Sequence, residues 1–137
     1  MNTDLTEAQK DYAVFLPSIS GFYATFIGKQ RFQEYVEPAR IPVGIDKMES
    51  MNFLNSKEGA FHYKWALYSA GHAELDTNKF SEKEDMLRKR DRENSWLLGD
   101  SGGFQIAKGL WPGDWTNPDC PLAAKKRELV VNWMEEY

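Results

Sequence analysis

The run Trp96-Leu97-Leu98-Gly99 breaks into Asp100-Ser101-Gly102-Gly103-Phe104-Gln105, which sets a carboxylate where an apolar segment gives way to a glycine-rich turn. Buried parallel strands read as short apolar runs of this kind, and in barrel enzymes the working residues lie where such strands finish. Asp100 in that position can accept two hydrogen bonds and can carry a proton. Gly102 and Gly103 let a ligand approach the backbone closely and offer unobstructed N–H donors. Ser101 brings a hydroxyl suited to a ribose or a phosphate, Phe104 a flat stacking face, and Gln105 both a donor and an acceptor. The plain alternative is a glycine-rich turn that only reverses the chain.

Two families share part of this string. Gly99-Asp100-Ser101-Gly102-Gly103 resembles the surroundings of the nucleophile in trypsin-like serine proteases, and Ser69-Ala70-Gly71-His72-Ala73 is loosely similar to their histidine motif. Spacing argues against that reading, because only a short charged segment separates His72 from Ser101, where a double β-barrel needs a long stretch of antiparallel sheet. The proline usual after the second glycine is Phe104, and the single Cys120 has no partner for an internal disulfide. Asp100-Ser101-Gly102-Gly103-Phe104-Gln105 resembles the signature of the tRNA-guanine transglycosylases, which exchange guanine for a 7-deazaguanine in nucleic acid.

That resemblance implies a (β/α)8 barrel and a pentosyltransferase reaction. It implies that Asp100 sits in the base pocket as acid/base and recognition group, accepting from the N1–H and amine edge of a guanine-like base, and that Phe104 packs over the base. Ser101, Gly102, Gly103 and Gln105 then line the substrate site, with His72 beside them. It also implies a covalent nucleophile, an aspartate on a later strand, and a zinc held by a Cys-x-Cys-x-x-Cys motif with a distant histidine. The aspartate and the cysteine motif are not found in these 137 residues. Strict identity covers Asp100 to Gln105, with looser correspondence from about Trp65 onward. Ile19 to Phe26 and Leu67 to His72 are more similar to the phage and bacterial enzymes that place 7-deazaguanines in DNA, which favours DNA over tRNA as the polymer.

Composition narrows the class. A chain of 137 residues, 42% hydrophobic and 14% aromatic, can pack one ordinary core. No apolar stretch approaches the roughly 20 residues of a membrane span, and the first residues lack a signal-peptide layout. A soluble protein of the cytoplasm, or of the host cytoplasm if phage-encoded, is expected. With His62, His72 and Cys120 as the only histidines and cysteine, no zinc-like spacing occurs and no metal site is expected. A net charge of −4 does not advertise nucleic-acid binding. The positive charge is nonetheless clustered, and Arg88, Lys89, Arg90 and Arg92 are the candidate phosphate contacts because they precede the Asp100 strand; the alternative is a solvated helix face.

These residues need elements to hold them. A helix is expected over about 21–35 with Phe22, Phe26, Phe32 and Val36 inward, ended by Pro38 and Pro42. A short helix follows Asp46 with Met48, Met51, Phe53 and Leu54 as its apolar residues. Trp65 to Gly71 reads as a second buried strand. Ser81-Glu82-Lys83-Glu84 has the form of a capping box, so Glu82 to Arg90 should be helical. Strand, helix, strand implies a right-handed parallel crossover that brings His72 and Asp100 to one edge of the sheet. The last helix, capped by Asp119 with Pro121 in its first turn, presents Leu122, Leu129, Val130, Trp133, Met134 and Tyr137 on one face. A barrel takes about 250 residues, so an amino-terminal portion of a longer enzyme is expected, a partial (β/α)8 barrel with an aromatic-rich extension over 1–60 and its first βαβα units over 61–137. A non-catalytic, nucleic-acid-binding subunit or fragment that pairs with a complete enzyme is the second reading.

Overall fold

The computed structural model describes residues 13–29, 37–45, 47–79 and 81–137. Its centre is a parallel pair, β1 (Trp65–Ser69) and β2 (Trp96–Asp100), joined by a crossover that contains helix α2 (Glu82–Arg88). The register runs from Trp65 opposite Trp96 to Ser69 opposite Asp100, so both strands finish at the same level. On the other side of β1, the amide of Leu67 donates to Pro17 O (2.9 Å) and that of Ile19 to Leu67 O (2.8 Å), and Ser18 forms a parallel bridge to Leu67. Segment 17–19, β1 and β2 therefore lie side by side in chain order. A strand of one bridge has no room for an apolar alternation, so residues 16–20 carry no strand pattern in the sequence.

Helix α1 (Gly21–Gly28) starts at Ser20, whose hydroxyl accepts from Tyr23 N (3.0 Å). It buries Ala24, Phe26 and Ile27, but Phe22 is 76% exposed, contrary to the expected inward face. The remainder of the expected helix, with Phe32 and Val36, falls on residues 30–36, outside the described residues. Gly28 allows α1 and α2 to touch: a Cβ there would sit 2.6 Å from Glu82 O. The short helix after Asp46 is a 3-10 turn, Met48–Met51, that buries Met48 and hands on to buried Leu54. Buried Asn52 fixes this segment to α2, donating to Glu49 Oε1 (2.7 Å) and Met86 O (3.0 Å).

Helix α2 begins where the sequence placed it, but the capping differs. The Ser81 hydroxyl accepts from Lys83 N (3.1 Å), whereas the Glu84 carboxylate turns away to accept from Glu74 N (2.6 Å). The helix ends at Arg88, two residues early, and Lys89 is its C-cap. Helix α3 (Gly103–Ala107) follows β2 directly, and helix α4 (Pro121–Glu136) closes the chain. The N-cap of α4 is Cys120 rather than Asp119, with no side-chain capping bond, and Pro121 takes the first position where no amide is needed.

The core lies on the sheet face of Ala66, Tyr68, Leu97 and Gly99. Tyr68 is fully buried, its hydroxyl donates to Lys83 O in α2 (2.6 Å), and its ring meets Trp133 of α4 at 5.9 Å. Two expectations are corrected here. α4 turns Ala123, Val130, Trp133 and Tyr137 inward, while Leu122 and Met134 are exposed. β2 is an edge among the described residues, with Leu98 52% exposed, because an apolar run signals cover without specifying its source. No helix among the described residues is long and apolar enough to cross a membrane.

Candidate functional site

Parallel register brings the ends of β1 and β2 together, so Ser69 and Asp100 face each other as a pair. The Ser69 hydroxyl donates to Asp100 Oδ2 at 2.7 Å and accepts from Gly71 N at 3.1 Å, starting the 3-10 turn Ala70–His72. Gly102 N also donates to Asp100 Oδ2, at 3.3 Å. Both bonds fall on one oxygen, and among the described residues Oδ1 accepts none. The carboxylate is therefore oriented yet open to an incoming donor. Sequence reasoning placed Asp100 but gave Ser69 no role; the signal was available in the equal finishing levels that a parallel crossover gives two strands of the same length.

The glycines divide their work. Gly102 has φ +82°, the left-handed conformation that L side chains rarely adopt, and a Cβ there would collide with the Trp111 ring. Trp111 thus occupies the close-approach space that sequence reasoning gave to a ligand at Gly102. Lys126 Nζ lies 4.9 Å over the same ring, so the final helix braces the turn. Gly103 opens α3, and the nearest foreign atom to its absent Cβ is Ser101 Oγ at 3.8 Å, so this backbone is accessible. Phe104 is 64% exposed, with Lys108 Nζ 5.6 Å above its ring. Ser101 is exposed as well.

Gln105 reaches back across the site. Its carboxamide occupies the space a Gly71 side chain would fill, and its Oε1 is buried without a hydrogen-bond partner. Gln105 therefore ties the β2 turn to the β1 turn by contact rather than by a bond. His72 sits on the far side of the β1 turn against Gly21, whose Cβ would meet His72 Cβ at 3.2 Å. No hydrogen bond joins His72 to Asp100 or Ser101, so the three residues do not form a relay of the protease kind.

The basic cluster lies elsewhere. Arg88, Lys89, Arg90 and Arg92 precede β2 and so stand at the opposite end of the strand from Asp100. Their charges already have protein partners. Arg90 donates to Tyr137 O (2.6 and 2.9 Å) and to Ser95 Oγ (3.1 Å), and Arg92 donates to Glu136 O. Arg88 bonds Lys79 O (3.0 Å) and lies 5.3 Å from the Tyr137 ring, while Lys89 pairs with Glu49 (3.3 Å) and Asp85 (3.6 Å). The cluster clamps the end of α4 onto the sheet.

No group of three or more His, Cys, Asp or Glu among the described residues could hold a metal, so the zinc implied by resemblance finds no ligand set there. Comparison with protein-family models, with curated proteins and with solved structures returns no match.

Proposed function

We propose that the Asp100 turn is the base pocket of a guanine transglycosylase, which replaces guanine in nucleic acid by a 7-deazaguanine. The observation that carries this reading is the Asp100 carboxylate itself, held through Oδ2 by Ser69 and Gly102 with Oδ1 open, at the carboxyl end of a parallel strand. A carboxylate so placed accepts from the N1–H and amine of a guanine edge and can pass a proton to or from the exchanging base. Exposed Phe104 supplies a stacking face, and the open backbone at Gly103 lets a flat ring approach. The partial (β/α)8 barrel belongs to the same proposal. It is supported by the chain-order parallel arrangement of 17–19, β1 and β2, with helices α2 and α4 packed on one face.

One feature favours the second reading, a non-catalytic subunit or fragment. Among the described residues β2 is the strand that ends on a carboxylate, while β1 ends on Ser69, and a glycosyl transfer of this kind needs a nucleophile besides the acid/base. The acceptor proposed is DNA rather than tRNA, on the likeness of the amino-terminal region.

Titration of the purified chain with 7-deazaguanine, followed by calorimetry, tests the pocket. Saturable binding is expected from the native chain, with Asp100→Asn setting an amide donor against the base's own donors and lowering affinity by about tenfold or more. Equal affinity in the two proteins would refute the assignment.

A further inference from the structure

Alternation along the two strands gives the sheet two faces with different contents. Ala66, Tyr68, Leu97 and Gly99 lie on the helix side, where Gly99 meets Trp133 and Met134 of α4. The opposite face therefore carries Trp65, Leu67 and Ser69 from β1 and Trp96, Leu98 and Asp100 from β2. Register arranges these six as three rungs, with Trp65 beside Trp96, Leu67 beside Leu98 and Ser69 beside Asp100. The lowest rung is closed, its two rings stacked at 4.5 Å with 20° between their planes. The highest is the polar pair, bonded at 2.7 Å. Between them Leu98 stands 52% exposed beside half-buried Leu67.

Strand geometry gives this face its dimensions. Two residues of a parallel strand advance about 6.6 Å, and neighbouring strands lie about 4.8 Å apart. The leucine pair is thus a floor about one ring wide, one step from the Asp100 carboxylate, and the tryptophan rung ends it about 13 Å from Asp100. The polar rung limits what can cover that floor. A packed apolar helix or strand would cut Asp100 Oδ1 off from water without supplying a donor, which leaves a buried acceptor unpaired. A flat ring with N–H donors along one edge satisfies the carboxylate and lays its apolar body over the leucines.

We propose that Leu67 and Leu98 are the floor of the Asp100 pocket and that Leu98 sets its selectivity, favouring a fused bicyclic base over a single ring with the same donor edge. This rests on the base-pocket reading, because Asp100 supplies the anchor. With the N1–H and amine of a guanine-like base on Asp100, the six-membered ring lies next to the polar rung and the five-membered ring falls over Leu98. The loss of one methylene from an apolar contact discriminates by about 10–200-fold. Half-exposed Leu98 belongs at the lower end of that range.

The test compares two probes on the purified chain by calorimetry. Isocytosine is the six-membered half of guanine with the same N–H and amine edge, so it reports the carboxylate, whereas 7-deazaguanine adds the five-membered ring. The native chain should bind the bicycle about tenfold more tightly. Leu98→Ala should remove about that factor from 7-deazaguanine and change isocytosine less than about twofold. Leu98→Met, which nearly conserves volume, should restore the preference. Val131→Ala truncates a side chain of similar exposure (53%) on α4 and should leave both affinities unchanged. Asp100→Asn should weaken both probes alike. Circular dichroism checks that every variant is folded, as expected for changes at exposed positions. Weakening of both probes in Asp100→Asn, with the preference intact in Leu98→Ala, would overturn the floor and leave the base pocket standing. A preference lost in Leu98→Ala with affinities indifferent to Asp100→Asn would sink the base pocket and keep the floor as a site for flat rings. If the native chain binds neither probe saturably, both readings fall.

Discussion

At the scale of single residues, the proposed function rests on one carboxylate and the hydroxyl that aims it. In an enzyme containing this segment, Asp100→Asn should lower base exchange by about 10²–10⁴-fold, the usual loss for one catalytic acid/base, with the thermal midpoint little changed because the group is exposed. Initial rates of labelled-base incorporation measure it, and a near-native rate would count against the pocket. Ser69→Ala removes the 2.7 Å bond but leaves Gly102 N on the carboxylate, so a smaller loss, about tenfold, is expected in the same assay. Ser101→Ala should cost less than either, since in the proposed reaction that hydroxyl binds rather than attacks; a hydrolase abolished by Ser101→Ala would instead restore the protease reading. Asp100 and its turn were legible in sequence because a carboxylate after an apolar run is a local pattern. Ser69 was not, because its partner is 31 residues away in the chain and adjacent only through strand register.

At the scale of elements, the packing of α4 on the sheet and the anchoring of the β2 entry decide stability. Trp133 is buried against Tyr68 and Gly99, and its Nε1 has no hydrogen-bond partner. Trp133→Ala should cost about 3–5 kcal/mol, whereas Trp133→Phe keeps much of the ring volume and removes an unpaired donor, so it should cost far less. Urea unfolding of the two variants distinguishes these outcomes. Asp91 caps the turn before β2: the Ser56 hydroxyl donates to it at 2.6 Å, with amides of Glu93 and Asn94 adding to it, and these bonds hold its carboxyl down at about 2. A carboxyl depressed in the folded state stabilises the fold above its unfolded value. That contribution is lost as pH falls from about 4 through 2. Ser56→Ala should therefore lower the thermal midpoint at pH 6 and leave a shallower decline between pH 4 and 2, as followed by circular dichroism. The starts of α2 and α4 were readable from Ser81 and Pro121. Their capping partners were not, because Glu84 and Cys120 answer to Glu74 and Asp114 from other parts of the chain.

At the scale of the whole molecule, the parallel strands set the open carboxylate of Asp100 and a cleft lined by Gly71 and His72 on neighbouring sides of the β1 turn. On the proposed reading the purified chain should bind a 7-deazaguanine yet exchange bases no faster than background, since no second strand-ending carboxylate stands beside Asp100 among the described residues. Labelled-guanine exchange into DNA and into tRNA measures this, and turnover by residues 1–137 alone would refute it. For an enzyme with the full chemistry, DNA should be the better acceptor, and single-stranded or deformable sites should react faster because unstacking a base costs about a few kcal/mol. Sequence by itself determined the strand–helix–strand order, the place of Asp100 at a strand end and the glycine-rich turn after it, all of which follow from short-range patterns of apolar, capping and turn residues. Tertiary structure decided which neighbours those residues meet: Trp111 against Gly102, Gln105 against Gly71, the basic cluster on the chain's own carbonyls, and Lys29, Arg40 and Lys83 around one cleft. Those pairings depend on strand register and helix docking between distant segments, which local propensity does not encode.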